Sequence, residues 1–135
     1  MAIYENTNLQ EDYVSFETAK LLKEKGFDEG CRAFYVKSKE CGIELFHAKE
    51  PYNYNNNVHP CTSAPTLQMV MKWLREVHNL FIGINTVIGS DKNWGYEVFI
   101  QKQEVPIPSK IQWDWFNTYE EACEAAIKYC LENLI

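Results

Sequence analysis

Five residues with metal or nucleophile chemistry fall in the first half of the chain: Cys31, Cys41, His47, His59 and Cys61. Structural zinc sites usually draw their ligands in close pairs, two to four residues apart. Only His59 and Cys61 are that close here, and the single Pro60 between them is poor geometry for two ligands on one ion. No metal site is expected. The same two residues make a poor thiol–imidazole couple, because a nucleophilic Cys and its His meet in space rather than two residues apart in sequence. His78 ends an apolar helical stripe and has no nucleophile or carboxylate partner nearby. As a cation it would suit a helix C-terminus. The six glycines are scattered, with no Gly-x-Gly and no Gly-Lys-Ser/Thr, which leaves no phosphate loop. The acidic pairs Asp28-Glu29 and Glu120-Glu121 sit at helix ends or on polar faces, where dipole and solvation account for them. No catalytic set, cofactor or small-molecule substrate is legible, and the expectation is a protein that is not an enzyme.

Aromatic residues carry the remaining signal, nineteen of them in 135 residues. Trp73, Trp113 and Trp115 lie on regular elements, where packing explains them. Tyr52, Tyr54 and Trp94 lie in expected loops, where aromatics often mark interfaces, and these three are the candidate binding residues.

Three helices and five strands must position these groups. Ser15 caps a helix that runs to about Lys25, with Gly26 as its left-handed stop and Phe27 placed to contact Leu22. Residues 33–38 and 43–47 form a hairpin turning at Gly42. Residues 48–65 read as a long loop, of a length that tends to be functional or mobile. Leu67, Val70, Met71, Leu74, Val77 and His78 share one face of a second helix, capped by Ser63 or Thr66 and stopped at Asn79. Strands follow at 80–88, 96–101 and 111–116, with a turn at 89–95 and a Pro-containing link at 105–109. Thr118 and Glu121 open a capping box for a last helix to about Asn133, whose apolar stripe includes Cys123 and Cys130.

The order α-β-β-α-β-β-β-α predicts an α+β fold, an antiparallel sheet with three helices. Lys20-Leu-Leu22-Lys-Glu24 echoes Lys72-Trp-Leu74-Arg-Glu76 at an offset of 52, which raises a duplicated α-β-β unit.

At 15.8 kDa the chain is one domain, 1–135, with 1–13 as a loose lead-in. Its net charge of −6 is concentrated at both ends. Residues 1–30 carry three basic and seven acidic groups, and residues 111–135 carry one and five. Duplex DNA wants a clustered basic footprint, so the charge speaks against nucleic acid. No apolar run is long enough for a membrane helix, and the start lacks a basic segment and an apolar one, so export is not expected. An odd count of five Cys without Cys-x-x-Cys predicts reduced thiols in a cytoplasm.

Two resemblances add to this reading. Residues 14–27, Ala64-Pro-Thr66, the run Lys72-Trp-Leu-Arg-Glu-Val-His-Asn79 and Thr118-Tyr-Glu-Glu-Ala122 resemble a family of small uncharacterised proteins of gut bacteria and their phages and mobile elements. The resemblance covers most of the chain and implies a cytosolic, phage-linked setting; it carries over no activity. Residues 95–126 resemble the β-β-α part of AP2-type DNA-binding domains and of phage integrase arm-binding domains. Those read DNA through Arg and Trp, whereas this segment has no Arg and an excess of acidic residues.

The expected function is therefore a non-enzymatic accessory protein that binds another protein or itself, with a nucleic-acid-associated regulator as the alternative. Large apolar groups on both faces of the strands predict a two-fold homodimer through sheet or loop aromatics. The competing account folds the 48–65 loop over the open face, with Tyr52 and Tyr54 on it.

Overall fold

The structure, a computed structural model, describes residues 9–56, 60–86, 93–100 and 108–135, with the backbone alone for 108–115. Most of the expected lead-in, of the 89–95 turn and of the 105–109 link lies outside these residues, as do His59 and the side chains of Trp113 and Trp115. The elements are α1 (Phe16–Glu24), β1 (Cys31–Ser38), β2 (Gly42–Tyr52), β3 (Cys61–Ser63), α2 (Leu67–His78), β4 (Leu80–Thr86), β5 (Trp94–Ile100), β6 (Pro108–Phe116) and α3 (Tyr119–Asn133). This is the α+β order read from the sequence, with the short β3 added.

The helix ends follow from local chemistry. The Ser15 hydroxyl accepts from the Thr18 amide at 3.2 Å, and Thr66 does the same for Met69 at 3.2 Å. Gly26 has φ +86° and the Phe27 amide returns to the Leu22 carbonyl at 2.9 Å, which stops α1. Asn79 stops α2 in the left-handed region at φ 56°. At α3, Thr118 accepts from the Glu121 amide at 3.1 Å. The Glu121 carboxylate reaches back to the Asn117 amide, one residue earlier than a capping box requires.

The strands divide between two antiparallel sheets of three, ordered β2-β1-β3 and β4-β5-β6. Each of the first two helices is followed by a hairpin, so the α-β-β unit recurs. The third strand breaks the correspondence: β3 joins β1, whereas β6 joins β5. One hydrophobic cluster runs through both halves, with Leu22 from α1, Cys31 from β1, Leu74 from α2, Val98 from β5, and Ala126 and Cys130 from α3 all buried. Ile84 of β4 is half-buried and packs on its margin. Val77, expected on the apolar face of α2, is exposed, while Trp73 beside that face is buried. α3 lies against β4, β5 and β6 and touches both other helices. Its Glu124 carboxylate accepts from the Ser15 amide at 3.0 Å and the Thr18 hydroxyl at 2.6 Å, fixing a negative charge at the N-terminus of α1.

The expected 48–65 loop is much shorter in the structure. β2 continues to Tyr52, and 61–63 is strand, leaving only 53–60 between them. A Pro at 51 is compatible with strand here because β2 is an edge. The strand leaves regular register to accommodate it: Ala33 faces His47 but Cys31 faces Tyr52, so 48–51 bulge opposite Arg32 alone.

Candidate interaction surface

Pairing places Phe34 of β1 opposite Phe46 of β2, and Tyr35 opposite Leu45. Because side chains alternate, Phe34 and Phe46 share the outer face of the first sheet, while Tyr35 and Leu45 share the inner one. The Phe34 and Phe46 rings stack at 5.8 Å. Tyr54 stacks on the same Phe34 at 4.2 Å, and Tyr52 meets Tyr54 edge-on at 5.2 Å. An Asn holds this arrangement in place. Asn55 Oδ1 accepts from the Ser63 amide at 2.9 Å, Asn55 Nδ2 donates to the Phe27 carbonyl at 2.9 Å, and the Tyr54 amide donates to the Ser63 hydroxyl at 3.0 Å. Residues 53–55 are thereby tied to β3 and the end of α1, with Tyr54 laid over the sheet. This is the covering arrangement weighed from the sequence, and it covers only Phe34's part of the outer face.

β2 pairs with β1 on one side, and among the described residues no strand pairs with its other side. It is eleven residues long and solvent-exposed except at Ala48. Ile43 is 45% exposed, Leu45 36%, Phe46 42% and Tyr52 52%. An edge of that kind offers free amides and carbonyls together with apolar side chains on both faces, which is a template for another strand. Proteins blunt such edges with bulges, Pro and charge. Here those devices, Lys49, Glu50 and Pro51 in the bulge, occupy only the far half. The near half, residues 43–47, carries none of them except Glu44.

The three sequence candidates do not form one site. Tyr52 and Tyr54 come together beside β2, but Tyr52 ends a strand rather than lying in a loop. Trp94 is also in strand, opening β5 in the other sheet, where it pairs with Thr86 and meets Tyr119 edge-on at 5.7 Å. Its strand begins two residues before the point read from the sequence, because β4 and β6 both supply partners there. Ile43, Leu45 and Phe46 went unnoticed as candidates. The signal for them was present: Ile43-Glu-Leu-Phe46 places large apolar groups on both faces of a strand, more than one core can cover.

Clefts flank this sheet. One, about 720 Å³, is lined by Glu11, Tyr13, Arg32, His47, Thr66 and Met69 among others, with His47 edge-on to Tyr13 at 5.3 Å. Its thiol is Cys31, which burial pushes up to about 11 despite a hydrogen bond with Ser63, so at neutral pH it stays protonated. A second, about 420 Å³, holds Lys20, Lys23 and Lys37. Lys23 is bonded to the Cys61 carbonyl at 3.0 Å, and Lys20 lies 5.6 Å over the Phe16 ring. Burial also raises Cys123 to about 11 and Cys130 to about 12, as expected of thiols on the apolar stripe of α3. No described helix is long and apolar enough to cross a membrane. Compared with family models, curated proteins and solved structures, the chain matches none.

Proposed function

We propose that this chain is a non-enzymatic accessory protein that takes an extended segment of a protein onto the open edge of β2. The observation that carries the reading is an eleven-residue edge strand with Ile43, Leu45 and Phe46 exposed and unprotected. Strand addition uses the backbone groups of such an edge for affinity and alternate side-chain positions for specificity. The cytosolic, phage-linked setting rests on the family resemblance and on five free cysteines. The test is selection of peptides from a random display library on the folded protein. Selected peptides should alternate apolar and polar residues, slow hydrogen exchange of the β2 amides, and bind about tenfold or more weakly to Leu45→Lys. Peptides indifferent to Leu45→Lys, or no selected peptide at all, would discard the reading.

A regulator that binds nucleic acid has one observation on its side: α3 packs on a three-stranded sheet after β5 and β6, as in the AP2-like pattern. The charge opposes it, because β4 and β5 contain no Lys or Arg.

A further inference from the structure

We infer that the occupant of the β2 edge is a second copy of this chain, paired antiparallel about a two-fold axis at Phe46, so that the two first sheets join into one of six strands. This rests on the strand-addition reading above and adds the partner and the register. A two-fold axis perpendicular to a sheet sets one residue opposite its own copy, and each possible register is named by that residue. The axis has to lie before the bulge, since 48–51 leave register with β1. That leaves residues 43–47 as possible axes.

Side-chain pairing decides among them. An axis at Ile43 leaves the strand only one residue before its turn. Glu44 on the axis would set two carboxylates face to face, which directly opposed like charges make unfavourable. Leu45 on the axis would press Glu44 against the partner's Phe46. His47 on the axis would draw Pro51 and the whole bulge into the ladder. Phe46 on the axis avoids all of these: it faces its own copy, Leu45 faces the partner's His47, and only the outermost pair, Glu44 with the partner's Ala48, touches the start of the bulge. The aromatic stacks also become continuous. Tyr54 already stacks on Phe34 and Phe34 on Phe46, so the axis joins two such rows end to end. Cross-strand aromatic pairs are among the most favourable a sheet makes.

Charge sets the conditions. Each copy carries −6, but the excess acid lies in residues 1–30 and 111–135, and Glu44 is the only Asp, Glu, Lys or Arg in 43–47. Two copies repel at long range and fit at short range, so added salt should strengthen association. The ladder is short, which points to a dissociation constant on the order of micromolar.

Sedimentation equilibrium on the whole chain should show the mass rising from 15.8 kDa toward twice that value with concentration, and rising further with salt. Phe46→Lys should weaken dimerisation about tenfold or more with an unchanged circular dichroism spectrum. In a Cys41→Ser, Cys61→Ser background, which removes the thiols that are not buried, Phe46→Cys should cross-link two chains on mild oxidation. Directly opposed strand residues lie within disulfide reach. Glu44→Cys should not cross-link. A monomer at all concentrations whose edge still binds the selected peptides would overturn the second copy and leave strand addition standing. Cross-linking at 44 but not at 46 would overturn the register. Dimerisation and peptide binding that both ignore Phe46→Lys would overturn the inference and the reading beneath it.

Discussion

His78 closes α2 with its ring edge-on to Trp73, centroids 4.6 Å apart. Two influences oppose each other there. The negative end of the helix favours the cation, and desolvation favours the neutral ring. Desolvation prevails: burial lowers the His78 pKa below its ordinary 6.5, and Nε2 is buried with no hydrogen-bond partner among the described residues. What packs around the helix end therefore outweighs the pull of the helix dipole on this ring. A folded pKa below the unfolded one means protons bind the unfolded chain more readily, so this contribution is complete above pH 6.5 and is lost as pH falls through the folded value. Between pH 7 and 5 the melting temperature should fall more steeply for the parent than for His78→Phe, which keeps a ring and removes the titration. Parallel slopes would show that the ring is as well solvated folded as unfolded.

At the scale of elements, the bulge of β2 depends on a close approach. A Cβ placed on Gly30 would lie 3.3 Å from the Cβ of Pro51, tighter than ordinary contact. Gly30→Ala should therefore cost about 1–3 kcal/mol in urea unfolding through crowding. A neutral result would show the bulge yields easily. This bulge also shows where sequence reading ran out. The helices were legible because their ends are written locally, in Ser15, Gly26, Thr66, Asn79 and Thr118. The hairpin turn was legible for the same reason, with Gly42 at φ +74°. The far half of β2, Ala48 to Tyr52, has a Pro and two charges and no strand pattern of its own. Its conformation comes from Cys31 and Gly30, some twenty residues away in the chain. β3 is three residues whose only reason to extend is β1 beside it. Tyr54 was legible as an aromatic in an irregular segment, but its ring partner Phe34 was not, since pairing across 20 residues leaves no local mark.

At the scale of the molecule, two sheets share one hydrophobic cluster, and Leu74 sits in it without solvent contact. Leu74→Ala should cost about 2–5 kcal/mol by leaving a cavity. The loss should appear equally in probes of both sheets, as a single cooperative transition. Two separated transitions would mean the halves hold together more loosely than their common core implies. The α+β element order was readable from caps and apolar spacing. How α1 and α3 meet was not, because a Glu at 124 that serves Ser15 and Thr18 looks like any surface carboxylate in a capped helix.

That same contact has a consequence for synthesis. A ribosome makes α1 well before α3, yet the amide of Ser15 and the hydroxyl of Thr18 find their carboxylate on α3. While the intervening hundred or so residues are being translated, α1 lacks the carboxylate at its start and β4 and β5 lack the helix that lies against them. The emerging chain therefore gains little from being made in order. Its first sheet, with the bare edge of β2, waits with an open core until α3 arrives to cover it.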